Sequence, residues 1–168
     1  EAYAAFDVNV TTKDPGVDAL RRSGSGDTAF GIRVVVGPNT GWSQPSGGVA
    51  YLGSFNWGTD TPAFVFSASL ANYGKYMGDA AAHEAGHAFG MRHDGTVAGP
   101  GGTPAAASYY RGHGTWAPIM GVGYDRPTVQ WSTGEYPLAI AYSSVLILLM
   151  LAALLAVQAL VGEARLGR

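Results

Sequence analysis

The chain has 168 residues, which is enough for one compact domain with a hydrophobic core of ordinary size. Its formal net charge is -2 and its only basic pair is Arg21 and Arg22, which argues against a nucleic-acid binder. It has no cysteine, which excludes a disulfide framework and a thiolate metal site, and its 25 glycines indicate many tight turns rather than a helical bundle.

Four short segments have the composition of β-strands. Residues 6–12 alternate apolar and polar side chains, the period of a half-buried strand, and residues 29–36 form a second segment that ends at a Gly-Pro pair. Residues 49–52 are flanked by glycines. Residues 63–67 are apolar enough to lie inside a sheet. The sequence therefore predicts a small sheet in the first part of the chain.

A helix is predicted after these segments. Residues 76–90 are rich in Ala and contain no Pro, and Gly90 is a suitable helix stop. From residue 94 to residue 128 the chain is dominated by Gly, Pro, Ser and Thr, which is typical of irregular loops. We find no internal repeat.

A metal-binding motif lies at the end of the predicted helix. Residues 83–94 contain the pattern H-E-x-x-H-x-x-G-x-x-H. His83 and His87 are four residues apart, so on a helix their imidazoles share one face and can bind one ion. Gly90 lets the backbone leave the helix through a positive-φ conformation, after which His93 can supply a third nitrogen.

The pattern also contains the groups that peptide hydrolysis needs. Three neutral imidazoles leave a fourth coordination position for water, which is the arrangement of a catalytic Zn²⁺ site. Zinc lowers the pKa of that water to about 7. Glu84 can take the proton of the water as general base and pass it to the leaving amine. A helix with unrelated histidines does not explain Gly90 and His93 together.

The extended motif resembles that of the metzincin metallopeptidases, and Asp94 after the third histidine resembles the adamalysin/reprolysin (ADAM-like) branch. The resemblance implies an α/β fold with a twisted mixed sheet, an antiparallel edge strand, an active-site helix and an irregular C-terminal subdomain. It also implies a Met-containing turn below the zinc, for which Met120 is the candidate. Asp94 either orients the site by hydrogen bonding from outside the ligand set or only caps the turn.

Residues 47–54 resemble the edge strand of ADAM-like proteases, which in that family lies antiparallel to the bound peptide. An edge strand offers unpaired N–H and C=O groups to an extended polypeptide. An ordinary internal strand is the alternative. The residues expected to bind substrate are Gly48, Val49, Ala50, Tyr51 and Leu52.

The resemblance covers about residues 1–136, with some departures. Animal reprolysins hold the region after the motif with disulfides, so a chain without cysteine resembles prokaryotic relatives. Only residues 1–5 remain of the long helix that precedes the first strand in the family, and we interpret 1–136 as an N-terminally truncated catalytic domain. Tyr124 does not have the spacing of an astacin-type zinc ligand. His113 either lines the substrate wall or is a loop residue without a catalytic part.

The C-terminal segment has a different composition. No charged residue occurs between Glu135 and Glu163, a length that can span a bilayer as a helix, and the short basic tail 163–168 follows. Three interpretations of the hydrophobic helix predicted at 137–162 stay open. Residues 138–161 form a transmembrane anchor, or they form the last helix of the domain, or they reflect a truncated or frame-shifted gene end.

The sequence thus predicts a zinc-dependent endopeptidase with one catalytic ion and a polypeptide substrate, secreted or held at the cell surface. Its oligomeric state is not set by composition. Two other classes remain. The intact Glu84 argues against a non-catalytic zinc-binding or interaction module, and the edge-strand sequence argues against a zinc hydrolase of non-peptide amides.

Overall fold

The computed structural model describes residues 2–41, 43, 45–97 and 107–132. Within these residues a three-stranded sheet packs on one long helix, and a two-stranded sheet follows, so the fold is mixed α/β. The described residues also contain three short 3₁₀ helices, one before the first strand and two between later elements. In chain order the strands and the helix are β1 (Val34–Gly37), β2 (Gly48–Val49), β3 (Ala63–Phe66), α1 (Gly74–Ala88), β4 (Trp116–Pro118) and β5 (Thr128–Gln130).

The strand β3 is the centre of the first sheet. It pairs with β1 in parallel and with β2 antiparallel, so the strand order is β1-β3-β2 and β2 is an edge strand. Gly48 lies opposite Val65 and Val49 lies opposite Phe64. Most side chains of β3 are buried, as expected for an apolar strand with a partner on each side. The described sheet therefore has the antiparallel edge that the resemblance implies.

The predicted helix is confirmed as α1, shifted by two residues at each end. Its C-terminus has the hydrogen bonds of a Schellman motif, because the N–H of Gly90 donates to the carbonyl of His87 at 2.8 Å and that of Met91 donates to Gly86 at 3.0 Å. Gly90 has a φ of 93°, which a residue with a side chain resists. The positive-φ exit from the helix at Gly90 is therefore confirmed.

Two hydrophobic clusters hold α1 from different sides. The first lies between α1 and the three-stranded sheet and the second between α1 and the residues around β4 and β5. The buried residue that the helix contributes to each cluster is an alanine, so neighbouring groups can approach the helix closely there. The buried members are Val65, Leu70 and Ala80 in the first cluster and Ala82, Ile119 and Met120 in the second.

Two secondary-structure predictions are wrong. Residues 6–12 contain no strand, and Val10 is 73% exposed, because alternation alone does not provide a neighbouring strand to pair with. The region 94–128, predicted to be irregular, contains β4, whose parallel partner β5 begins at Thr128. Short strands in a Gly- and Pro-rich region lack a periodic pattern of their own and depend on this pairing.

Within the described parts of the chain, no helix has the length and hydrophobicity needed to cross a membrane. The predicted hydrophobic helix 137–162 and the tail 163–168 lie outside the described residues.

Candidate metal centre

Three histidines meet at the C-terminal end of α1. His83 and His87 extend from consecutive turns of the helix, and His93 returns to them after the reversal at Gly90. One ring nitrogen from each lies within 4.8 Å of the other two. The ring centroids are 4.7–5.3 Å apart. The predicted convergence of the three imidazoles is present, and the group can hold one metal ion.

Two backbone carbonyls orient the rings. The Nδ1 atom of His83 is 2.8 Å from the carbonyl oxygen of Ile119, and that of His87 is 2.8 Å from the carbonyl oxygen of Met91. Because a carbonyl oxygen only accepts hydrogen bonds, each Nδ1 carries the proton. The Nε2 lone pair of each ring is then available to a metal, as is usual for metal-binding histidines.

The spacing of the nitrogens suits a small tetrahedral cation. The Nε2 atoms of His87 and His93 are 3.0 Å apart. Zinc–nitrogen bonds of about 2.0–2.1 Å in a tetrahedron separate two nitrogens by about 3.4 Å, which is close to this distance. The donor set and the spacing of this pair therefore fit Zn²⁺, and the ligand atoms of all three histidines lie within 4.8 Å of one another.

The surroundings of His83 and His93 favour the neutral form of these two imidazoles. Burial lowers the pKa of His83 to about 4, and the neighbouring His87 and His93 act in the same direction. Burial also lowers the pKa of His93, with a further contribution from His87 that Asp94 opposes. Neutral imidazole is the form that binds a metal, so these two rings are ready to bind at physiological pH.

Glu84 lies beside the histidines and is almost fully buried, with 6% of its surface exposed. Burial raises the pKa of its carboxyl group to about 7, because an apolar environment disfavours the charged form. The edge strand β2 lies directly against this side chain, since a Cβ atom placed on Gly48 would be 2.7 Å from Oε1 of Glu84. A carboxylate with such a pKa can exchange protons near neutral pH.

Met120 lies below the helix turn that joins the first two histidines. It is 3% exposed, and its Sδ atom would be 2.5 Å from a Cβ atom placed on Gly86. Met120 belongs to a tight turn in which the N–H of Gly121 donates to the carbonyl of Pro118 at 3.1 Å. The same turn supplies the Ile119 carbonyl to His83, so it both supports and orients the site.

Asp94 fastens the segment after the third histidine to this turn. Its N–H donates to the carbonyl of Met120 at 2.8 Å, and its own carbonyl accepts from the N–H of Tyr110 at 2.6 Å. Its side chain is buried, and the carboxylate accepts a hydrogen bond from the hydroxyl group of Ser132. These contacts restrain the backbone that carries His93.

Tyr109 has no site role in the sequence-based prediction, and Tyr124 is considered there only as a zinc ligand whose spacing does not fit. The ring of Tyr109 lies 4.1 Å from that of His93 and 6.1 Å from that of His83, measured between centroids, and it is 41% exposed. Burial and the charge of Glu84 raise the pKa of Tyr109 and of Tyr124. The only sequence signal was the Tyr-Tyr pair at 109–110 in a loop, which indicates no particular partner.

The other predicted site residues do not belong to the three-histidine group. The strand β2 contains Gly48 and Val49 and is followed by Ala50, whereas Tyr51 and Leu52 are exposed and Leu52 begins a turn. The predicted edge strand is therefore shorter than residues 47–54. The Nδ1 atom of His113 is 2.9 Å from the hydroxyl oxygen of Tyr110, and this histidine is not part of the metal-binding group.

The fold and the site define an α/β protein in which the long helix and the segment after it bring together three histidines that can hold a metal ion. A family model described as metallo-peptidase family M12B, reprolysin-like, matches residues 11–94, which is half of the chain. The chain belongs to this family of metallopeptidases. No curated protein and no solved structure matches it. The matched residues include β2 and the three histidines but not Met120.

Proposed function

We propose that the chain is a zinc-dependent endopeptidase that hydrolyses internal bonds of a polypeptide. The observation that carries this proposal is the convergence of His83, His87 and His93 beside the buried carboxyl group of Glu84. Zinc bound to three imidazoles keeps an open coordination position, where it polarises a carbonyl group and activates water. The three histidines would hold this ion through neutral ring nitrogens.

Glu84 is the proposed general base. Its pKa of about 7 lets it accept a proton near neutral pH and return the proton to the leaving amine. It neighbours His83 in sequence and is covered by β2, so its carboxylate is held close to the metal site and away from bulk water. A carboxylate with the ordinary pKa of 4.5 is a weaker base and would take the proton from the water less readily.

The edge strand β2 is the proposed substrate-binding strand. Within the described residues it pairs with β3 on one side only, so its other side can add an extended peptide antiparallel to it. Backbone pairing of this kind tolerates many substrate sequences. The residues proposed to contact substrate are Gly48, Val49, Ala50, Tyr51 and Leu52.

Two further assignments complete the proposal. Met120 is the proposed Met-turn methionine, supported by its burial below the helix turn that joins the first two ligands. Asp94 is proposed to keep His93 in place through the hydrogen bonds of its backbone and side chain. We propose residues 1–136 as the catalytic domain, acting outside the cell or at its surface.

The decisive test combines metal analysis with the variant Glu84→Gln. Wild type should bind one zinc ion and cleave quenched peptides and unfolded protein. The variant should keep the zinc and lose about 10²–10⁴-fold in kcat, the usual contribution of a general base. Equal inactivity of zinc-loaded wild type and variant would support a non-catalytic zinc module instead. Cleavage of non-peptide amides alone would indicate a different hydrolase.

A further inference from the structure

The contact between β2 and Glu84 depends on the absence of a side chain at Gly48. A Cβ atom placed there would be 2.7 Å from both Cγ and Oε1 of Glu84 and 2.6 Å from the carbonyl oxygen of Phe64. These distances are shorter than any that real Cβ atoms adopt. The φ of Gly48 is outside the left-handed region, so the position requires glycine for space and not for backbone conformation.

The preceding glycine makes a similar contact. A Cβ atom on Gly47 would be 2.7 Å from the hydroxyl oxygen of Tyr124 and 3.2 Å from Leu70. Tyr124 is held in place, since its ring packs on Tyr76 of α1 and its carbonyl oxygen accepts a hydrogen bond from Nζ of Lys75 at 3.2 Å. Because neither glycine has a side chain, the backbone at Gly47 and Gly48 can lie close to the side chains of Tyr124 and Glu84.

We propose that Gly48 is a positioning residue for the carboxylate of Glu84. The backbone of β2 lies against Cγ and Oε1 of Glu84 with no side chain between them. The carboxylate therefore has little room to rotate away from the metal site. This proposal rests on the proposed function, because Glu84 is the general base there and β2 the substrate strand. The same contact then sets the distance between the bound peptide and the base.

The expected effect of Gly48→Ala follows from the distances. Ordinary van der Waals contacts of a Cβ atom lie at 3.4–4 Å, so atoms of Glu84 now at 2.7 Å must move by about 1 Å. A misplacement of about 1 Å in a reacting group can lower kcat roughly 10²-fold. We expect a fall of about 10- to 100-fold in kcat with little change in KM, while one zinc ion stays bound.

A double-mutant cycle separates this role from simple packing. The four proteins are wild type, Gly48→Ala, Glu84→Ala and the double variant, each loaded with zinc. The probe is a peptide hydroxamate, which chelates zinc and offers hydrogen-bond donors to a neighbouring carboxylate. Gly48→Ala should weaken hydroxamate binding by about 10-fold when Glu84 is present and by less than about 2-fold when it is absent.

The control is Gly37→Ala. Gly37 is also a strand glycine with an ordinary φ, and a Cβ atom there meets nothing within 4 Å. This variant should leave kcat and hydroxamate affinity unchanged. Equal weakening by Gly48→Ala with and without Glu84 would overturn the proposal, because the effect would then arise from β2 itself.

The remaining outcomes also support or refute the positioning role of Gly48. If Gly48→Ala does not fold but the double variant with Glu84→Ala does, the contact with Glu84 is supported by the rescue. If neither folds, the carbonyl of Phe64 controls the position and the proposal fails. If wild type cleaves peptide in a zinc-dependent manner and Gly48→Ala has the same kcat, the positioning role of Gly48 is refuted, whereas the proposed function is not. Absence of cleavage by wild type refutes the proposed function, while the hydroxamate cycle still tests the contact.

Discussion

Gly86 and Gly78 lie in the same helix, but an added methyl group should stabilise the protein at Gly78 and not at Gly86. A Cβ atom on Gly78 would meet nothing within 4 Å. A Cβ atom on Gly86 would be 2.5 Å from Sδ of Met120 and 3.2 Å from two ring carbons of Trp131. The variants Gly78→Ala and Gly86→Ala therefore share the backbone effect and differ in packing.

The magnitudes follow from two opposing terms. Replacing glycine by alanine inside a helix stabilises it by about 0.8–1 kcal/mol. Inserting a methyl group into a well-packed core costs about 1–3 kcal/mol. We expect Gly78→Ala to stabilise the protein by about 1 kcal/mol, and Gly86→Ala to range from neutral to about 2 kcal/mol destabilising.

The assay is urea unfolding of both variants and wild type, each zinc-loaded and zinc-free, at one pH. The difference between the two variants is the packing cost at Gly86 alone, about 1–3 kcal/mol. Gly86→Ala should also weaken zinc binding, because the turn that carries Met120 supplies the carbonyl that orients His83. If Gly86→Ala stabilises as much as Gly78→Ala, Met120 is not packed tightly below the site and the reasoning is wrong.

Three further predictions concern groups around the site. Gly90→Ala should cost about 1–2 kcal/mol through its positive φ and weaken zinc binding through His93, which chelator competition would measure; unchanged affinity would contradict it. Glu84→Gln should stabilise the zinc-free protein by up to about 3 kcal/mol above pH 7. The pKa of Glu84 is about 7 in the folded protein and 4.5 ordinarily, so the free energy of unfolding of wild type should fall as the pH rises between these values. If the free energies of unfolding of wild type and Glu84→Gln change with pH in the same way, this prediction is refuted. Lys75→Met should remove the hydrogen bond to the Tyr124 carbonyl and the ion pair with Asp79, and cost about 1–2 kcal/mol in urea unfolding with no loss of bound zinc; a loss of zinc would show that these contacts also support the metal site.

The parts of the site that sequence predicted correctly are local. The spacing of His83 and His87 fixes their relation on any helix, and Gly90 marks the one place where the chain can reverse towards His93. These features need only helix geometry and a positive φ, and no knowledge of distant residues. They are present in the structure as the pattern implied.

The parts that sequence did not predict depend on distant pairing. The pairing of β4 with β5, the absence of a strand at residues 6–12 and the position of Tyr109 over His93 depend on partners that no local pattern identifies. The role of Gly48 belongs to this group as well. The sequence predicts Gly48 as a substrate-binding residue of the edge strand, and its contact with Glu84 becomes visible only when β2 and α1 are packed together.

The helix α1 is held on two sides at positions without side chains. Gly48 brings β2 onto Glu84 on one side, and Gly86 brings the helix onto Met120 on the other. Alanine-rich helices bury little apolar area per residue, so hydrophobic free energy alone positions such a helix weakly. Close contact on two sides also restrains the position of the helix, because a closely packed interior does not accommodate even one additional methyl group without movement. The first two histidines and the proposed base Glu84 therefore keep their relative positions, because they lie on the same part of α1, which is packed on both sides.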